Sequence, residues 1–214
     1  MSARDDVLAR IRSALRDAPA APDIPRGYRR ATTMSSEQRL EQLVDRLVDY
    51  KANVVVVPAA SAPAKLAELL AGSASIAVPH GLPAEWLSEL SAAGNDDGTL
   101  TVLVDSPERP LGIDELDAVD AVVTAAAVAV SETGTIMLDG SPSQGRRAIS
   151  LVPDRHICLL RAGDIVEVLP EAVARLDATA PQTWISGPSA TSDIELERVE
   201  GVHGPRTLDV IILV

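Results

Sequence analysis

The sequence predicts a single α/β domain with a mainly parallel sheet flanked by helices, preceded by an N-terminal helical arm. Short, unbroken apolar segments that suit buried strands alternate with amphipathic segments that suit helices, as is typical of a parallel sheet covered on both faces. The chain of 214 residues is long enough for one such domain. Its hydrophobic content of 46%, with only 2% aromatic residues, indicates a core of aliphatic side chains.

The first 34 residues are predicted to form a helix and an extended arm, and residues 35–214 the α/β domain. Apolar residues recur at helical spacing over residues 4–16. The segment that follows contains several prolines and ends in the basic sequence PRGYRR at 25–30. A terminal helix on such an arm can pack on its own domain or on a partner subunit, and both alternatives stay open at this point.

The domain is predicted to begin with a helix from Ser35 to about Tyr50, with Ser35 and Gln38 as a capping box. Strands and helices then alternate along the chain. The predicted strands are Asn53–Val57, Ser75–Val78, Leu100–Val104, Ala118–Val123, Ala127–Ser131, Thr135–Leu138, Ala148–Val152, Ile157–Leu160, Ile165–Val168, Thr183–Ile185 and Thr207–Val214. The predicted helical segments between them are Ala64–Leu70, Pro83–Leu90, Ile113–Leu116 and Glu171–Leu176.

Composition argues against nucleic-acid binding and membrane insertion. The chain has 31 acidic and 19 basic side chains, a net charge of −12, which disfavours contact with phosphate backbones. The apolar stretch 121–130 falls far short of the roughly 20 residues that cross a bilayer. The N-terminus carries charge from Arg4 onward and lacks the apolar region of a secretory signal, so we expect a cytoplasmic protein.

The sequence predicts no cofactor and no metal. Cys158 is the single cysteine, whereas an iron–sulfur cluster takes about four thiolates. No GxGxxG sequence is present, and Arg146 and Arg147 stand where a P-loop needs Lys and Ser or Thr. These two arginines could bind an anion or could lie on a solvated turn.

The sequence SETGTI at 131–136 is the first candidate site, because it places a carboxylate and two hydroxyls between apolar strands. Glu132 would act as a general base, a nucleophile or a hydrogen-bond acceptor, with Thr133 and Thr135 as donors. Ligands of open α/β sheets bind where parallel strands end. The alternative is a hairpin or strand switch in which Gly134 supplies a special backbone angle.

Two further candidates lie near the C-terminus. GPSATSDIE at 187–195 follows a strand and is rich in small and polar residues, which suits an anion-binding loop or a capped turn: the candidates are Ser189, Thr191, Asp193 and Glu195. GVHGPR at 201–206 places the imidazole of His203 beside the guanidinium of Arg206, a pair suited to a carboxylate or phosphate. We expect all three segments to converge in one cleft at an edge of the parallel sheet.

Three segments together closely resemble the lactate utilization protein C family, also called the LUD domain. They are SETGTIMLDG at 131–140, GRRAISLVPDRHICLL at 145–160 and SGPSATSDIELERVEGVHGPRTLDVIIL at 186–213. The N-terminal helix and the PRGYRR arm fit the family too, whereas residues 52–110 match only in pattern. The resemblance implies a fold similar to the sugar-phosphate isomerase and CoA transferase group.

The resemblance also implies a role in bacterial L-lactate utilization, alongside iron–sulfur partner proteins. Oxidation of lactate to pyruvate removes two electrons, which a chain with one cysteine cannot hold in a cluster. We therefore expect a non-redox component that binds a small carboxylate or organises the iron–sulfur partners, with Glu132 and His203 as candidate catalytic residues. The alternative is a stand-alone acyl or CoA transferase, because Glu132-Thr133-Gly134 has the local Glu-x-Gly form of the fold's CoA transferases.

Overall fold

A computed structural model describes residues 2–17, 22–31, 33–90, 100–191, 199–201 and 203–214 of the chain. The helices in this part are α1 (Ala3–Ala14), α2 (Ser36–Asp49), α3 (Ala62–Leu69), α4 (Ile113–Asp117), α5 (Arg147–Leu151) and α6 (Leu169–Val173). The strands are β1 (Asn53–Val57), β2 (Ser75–Pro79), β3 (Thr101–Asp105), β4 (Ala121–Ala125), β5 (Val128–Val130), β6 (Thr135–Leu138), β7 (Arg155–Arg161), β8 (Ile165–Val166), β9 (Thr183–Ile185), β10 (Ala190–Thr191), β11 (Val199–Glu200) and β12 (Thr207–Leu213).

The main sheet has six strands in the order β1-β12-β7-β4-β2-β3, and its neighbouring strands pair in parallel. At its centre, β12 and β7 pair over seven residues, from Thr207 opposite Arg155 to Leu213 opposite Arg161. Four of the central strands are nearly continuous apolar runs because both faces of the sheet are covered. This observation confirms the predicted fold class.

Helix α3 and the short 3₁₀ helix Ala84–Leu87 cover one face of the main sheet, where Leu66 and Trp86 pack against Ile157 and Ile211. The other face is covered by α2 and by a second, smaller sheet in the order β8-β5-β6-β9. Here Leu43 packs with Cys158 of the main sheet in one apolar cluster. The small sheet therefore lies on the main sheet as a second layer.

Two predicted strands are wrong in type or position. Residues 148–152 form most of α5 rather than a strand, and Ile149 packs beneath the edge of the main sheet with Ala77 and Val122. A short apolar run carries no period that separates a buried helical turn from a strand. The strand predicted from Ala118 begins only at Ala121, because α4 extends to Asp117 and Ala118 is its C-cap, with its amide bonded to the carbonyl of Asp114.

The N-terminal helix α1 has no buried residue, whereas the end of the arm is bound to the domain. The Arg29 guanidinium lies 2.5 Å from Glu132 Oε1 and 3.2 Å from Glu167 Oε1. The backbone amides of Thr33 and Met34 donate to Glu167 Oε2 at 2.6 and 3.1 Å. Arg29, Thr33 and Met34 of the arm thus pack on their own domain. No helix in the described residues is long and apolar enough to cross a membrane.

Candidate functional site

The SETG segment is the turn of a β-hairpin. It joins β5 to β6, which pair antiparallel in the small sheet, so the hairpin alternative is the one that the structure shows. Gly134 has φ +62°, and a Cβ atom at this position would lie 2.7 Å from Arg46 Cβ of α2. A side chain is therefore excluded both by the backbone angle and by the close approach of α2. SETG follows β5, which pairs in parallel with β8, but this strand belongs to the small sheet and not to the main parallel sheet.

Glu132 lies at the point where the arm meets the domain. Its half-exposed carboxylate pairs with Arg29, and its amide donates to the carbonyl of Glu167 at 3.2 Å. Glu167 itself is buried, with a side chain 5% exposed. Since one guanidinium bridges both carboxylates, Glu132 contributes to the docking of the arm.

A chain of hydroxyl groups connects the hairpin turn to the end of β9. Thr133 Oγ1 lies 2.8 Å from Thr135 Oγ1, which in turn lies 2.9 Å from Ser186 Oγ. The antiparallel pairing of β6 with β9 places Ile136 opposite Ile185, so the two neighbouring hydroxyls meet. Thr133 and Thr135 thus reach the GPSATSDIE region through Ser186.

Ser186 belongs to the wall of a cavity of about 220 Å³, which we call the inner cavity. It lies between α5, the segment 183–190, the segment 203–205 and the amino ends of β7 and β12. Its polar wall residues are Ser150, His156, Thr183, Ser186, Ser189 and His203. Glu132 and Arg206 are not among the described residues that line it.

Ser189 joins the two C-terminal motifs. Its hydroxyl accepts a hydrogen bond from the amide of His203 at 3.0 Å, and its own amide donates to the carbonyl of Pro205 at 2.7 Å. The amide of Gly201 donates to the carbonyl of Ser189 at 3.0 Å. Two segments that are separate in sequence therefore form one wall, and His203 lies exposed at its rim.

Of the three remaining candidates in the GPSATSDIE segment, the structure describes one. The backbone of Thr191 pairs with Val199, where β10 and β11 form a two-stranded antiparallel ladder. Asp193 and Glu195 lie outside the described residues. Ser189 and His203 therefore line the same cavity, as expected. Thr133 and Thr135 are connected to that cavity only through the hydroxyl of Ser186.

The Arg206 guanidinium forms an ion pair with a carboxylate of the protein itself. Its Nε and Nη2 lie 2.5 and 2.8 Å from the two oxygens of Asp154, a bidentate pair. The hydrogen bond from Arg206 lowers the pKa of Asp154 below its ordinary value. Both side chains are more than half exposed. The expectation that the Arg206 guanidinium faces an external anion is thus wrong, because it forms a bidentate pair with the Asp154 carboxylate.

His156 forms the floor of the inner cavity and is neutral. It is 1% exposed, and its Nε2 lies 2.8 Å from Thr124 Oγ1 on the neighbouring strand. Burial lowers its pKa to about 4, against the opposing effect of the Asp209 charge. Burial likewise raises the pKa of the Cys158 thiol to about 12, so this cysteine is protonated and unreactive at neutral pH.

The inner cavity lies at the amino edge of the main sheet, because His156 and Leu208 are the second residues of β7 and β12. The GVHGPR segment lies between β11 and β12, so it reaches the main sheet at the amino end of β12. Sequence reasoning missed Ser150, Asp154 and Ser186. Of these, Ser186 directly follows an apolar strand, which is a usable signal, whereas Asp154 meets Arg206 across 52 residues.

The chemistry available in the inner cavity is that of hydroxyls and imidazoles. Hydroxyls donate and accept hydrogen bonds, and the neutral imidazole of His156 can do either at its two nitrogens. No group of three or more His, Cys, Asp or Glu side chains in the described residues is placed to hold a metal ion. The arrangement therefore suits recognition of a small polar molecule.

The family model and the similar proteins that we compared agree on one family. The model of the LUD domain matches residues 40–213. "Lactate utilization protein C" of Deinococcus radiodurans is 45% identical over 215 residues, covering 99% of this chain and 95% of that protein. A protein of the same name from Shouchella clausii is 30% identical over 110 residues, or 48% of each chain.

A solved structure has the same architecture. The crystal structure of a DUF162 family protein from Deinococcus radiodurans superimposes with a TM-score of 0.69 at 40% identity. The alignment covers 85% of this chain and 99% of that one. Sequence and fold agree over most of the length, and the chain belongs to the LUD domain family.

Proposed function

We propose that this protein is a non-redox component of a bacterial L-lactate utilization system, and that it binds a small carboxylate in the inner cavity. The observation that carries the pathway is the 45% identity, over nearly the whole chain, to a protein named for lactate utilization. The single cysteine supports the non-redox part, since an iron–sulfur cluster needs about four thiolates. Electrons from lactate would then pass through partner proteins of the iron–sulfur type.

The size and lining of the inner cavity support a small ligand. Its volume of about 220 Å³ is below the range of roughly 300–1,000 Å³ for drug-sized ligands. The hydroxyls of Ser186 and Ser189 and the imidazole of His203 lie in its wall and can donate to a carboxylate. Apolar side chains of Leu151 and Leu208 complete the wall and would contact a short aliphatic body.

The exposed arm supports a role in organising the iron–sulfur partners. Helix α1 presents Val7, Ile11 and Leu15 at helical spacing, and these side chains are 56%, 48% and 63% exposed. Apolar side chains in one stripe on a helix are normally buried against another surface. A partner protein of the utilization system is the occupant that this proposal assigns to the stripe.

Calorimetric titration of L-lactate and pyruvate into the wild type and Ser189→Ala tests the ligand. Loss of one hydrogen bond to a charged carboxylate, about 1.5–3 kcal/mol, should weaken binding by about 10- to 150-fold. Ser13→Ala, an exposed serine of α1, is the matched control and should bind as the wild type does. Failure of the wild type to bind either carboxylate, or equal affinity in Ser189→Ala, would refute carboxylate binding in the inner cavity.

Copurification tests the pathway. Genes next to this one should encode proteins rich in CxxCxxC motifs, and these should copurify with the full chain and reduce a dye in the presence of L-lactate. Deletion of residues 2–17 should reduce copurification while leaving the unfolding midpoint of the domain unchanged. Lactate-dependent dye reduction that is equal with and without this protein would contradict its place in the system.

A further inference from the structure

A second cavity, which we call the outer cavity, lies at the opposite edge of the main sheet. It has a volume of about 440 Å³. His80 directly follows β2 and Asp105 ends β3, so its wall includes the carboxyl ends of two parallel strands. Ser150 and Thr183 line both cavities, which places the outer cavity next to the inner one.

The sheet edge here has the topology of a ligand crevice. Strands β2 and β4 are neighbours, and the chain leaves them toward opposite faces. After β2 it enters the 3₁₀ helix on the α3 face, whereas after β4 it enters β5 in the small sheet on the other face. Open α/β sheets bind ligands in the crevice that opens at such a point.

The loop 140–145 fits into this crevice and is held rigidly. The amide of Gly81 donates to the carbonyl of Pro142 at 2.9 Å, and the amide of Ala125 donates to that of Ser143 at 3.0 Å. These bonds tie the loop to the ends of both β2 and β4. Gly145 has φ +72°, and a Cβ atom there would lie 3.1 Å from Pro79 Cβ. The loop thus presents the two arginines that follow it in a defined position.

The two arginines have different surroundings. Arg146 Nε lies 3.1 Å from both oxygens of Asp105, whose side chain is 4% exposed, and its Nη2 also donates to the carbonyl of Leu111. The Asp105 charge is therefore balanced within the protein. Arg147 is exposed in the wall of the cavity, and its guanidinium makes no ion pair or hydrogen bond with any described residue.

The outer cavity is consequently a positive site in an acidic protein. Among the residues that line it, Arg146 and Asp105 cancel, so Arg147 leaves an excess positive charge, although the whole chain carries −12. The charge of Glu108, which does not line the cavity, interacts with His80. The imidazole of His80 and the hydroxyl of Thr183 can supply further hydrogen-bond donors. The Ser150 hydroxyl donates to the carbonyl of Arg147, and Ser106 is hydrogen-bonded to Glu108. Proline and leucine side chains form the apolar part of the wall.

We propose that the outer cavity binds a small organic phosphate, with Arg147 as the principal contact of the phosphate group. A phosphate carries about −1.5 to −2 charge at neutral pH and three strong acceptor oxygens, which matches the excess charge and the several donors. Guanidinium groups bind phosphate through two parallel hydrogen bonds. This site is separate from the inner cavity and from the carboxylate proposed there.

Titration of inorganic phosphate and glycerol 3-phosphate into the wild type and Arg147→Gln tests the site at constant ionic strength. Loss of a charge-assisted contact should weaken binding of both probes by about tenfold or more. Arg10→Gln, which removes the same charge from exposed α1, is the matched control and should bind as the wild type does. Equal unfolding midpoints of the variants would show that the fold is intact.

The outcomes separate this site from the inner cavity. Ser189→Ala should leave phosphate affinity unchanged, and Arg147→Gln should leave L-lactate affinity unchanged. The proposal is overturned by a wild type that binds neither phosphate probe at millimolar concentration, by equal phosphate affinity in Arg147→Gln, or by equal weakening in Arg10→Gln. It is also overturned if Arg147→Gln weakens only the binding of carboxylates.

Discussion

Two sets of polar side chains in this protein, one in the main sheet and one at the small sheet, have opposite surroundings. In the main sheet, Thr124, His156 and Asp209 stand within strands and are at most 3% exposed. In the small sheet, the polar side chains of Glu132 and Ser186 stand at a turn and a strand end and are exposed. A buried polar group must find its partner inside the protein, whereas an exposed one can exchange its partner for water or a ligand.

This difference predicts which substitutions change the stability of the fold and which change ligand binding. Substitutions in the strands of the main sheet should change the free energy of unfolding, because no solvent can replace the lost partner. Substitutions at the turn of the small sheet and at the rim of the inner cavity should change it little and should act on binding. The predictions below test this separation with pairs of chemically similar residues.

Asp209→Ala should cause the largest loss of stability. The Asp209 carboxylate, which is 3% exposed, accepts hydrogen bonds from Asn53 Nδ2 at 2.9 Å and Arg155 Nε at 2.7 Å. Removing one partner of a buried ion pair costs about 3–5 kcal/mol. Urea unfolding should show this decrease, whereas Asp154→Ala, which breaks the exposed pair with Arg206, should cost about 1 kcal/mol or less. Equal losses in the two variants would contradict the comparison.

His156 should make the protein less stable as the pH falls from 6.5 to about 4. Its pKa is about 4 in the folded protein and 6.5 when unfolded, so the unfolded chain binds the extra proton in this range. The stability present at neutral pH should therefore decrease by roughly 3 kcal/mol. The carboxylate of Asp154 titrates below its ordinary value of 3.8 and adds its effect only at lower pH.

Urea unfolding at several pH values measures this dependence. His156→Asn should remove most of it, whereas the exposed His80→Asn should retain it. A slope of the unfolding free energy against pH that is the same in the wild type and in His156→Asn would show that another group is responsible.

Glu132→Gln should have the smallest effect. The Arg29–Glu132 pair is half exposed on both sides, and such pairs contribute about 0–1 kcal/mol. Unfolding free energy and L-lactate affinity should match those of Glu41→Gln, an exposed control on α2. Mass spectrometry after incubation with acyl-CoA tests the transferase alternative. A covalent adduct in the wild type that is absent in Glu132→Gln would favour the transferase and contradict a docking role for Glu132.

The sequence by itself determined the class of the fold and the main strands. Runs such as 54–57 and 210–214 combine β-branched residues with continuous apolarity, and both signals are local. The capping box at Ser35 and Gln38 is likewise local, and both of its hydrogen bonds are present. Small and polar residues next to predicted strands located the GPSA and HGP segments that share the inner cavity.

Only the tertiary structure decided which polar groups are available to a ligand. Arg206 and Glu132 are both charged residues in polar loops, yet Asp154 and Arg29 bind them across 52 and 103 residues. Of two adjacent arginines, Arg146 pairs with Asp105, whereas Arg147 is exposed. An ion pair between distant segments leaves no periodic or compositional signal in the sequence. It depends on how the sheets pack and therefore on which distant side chains come together.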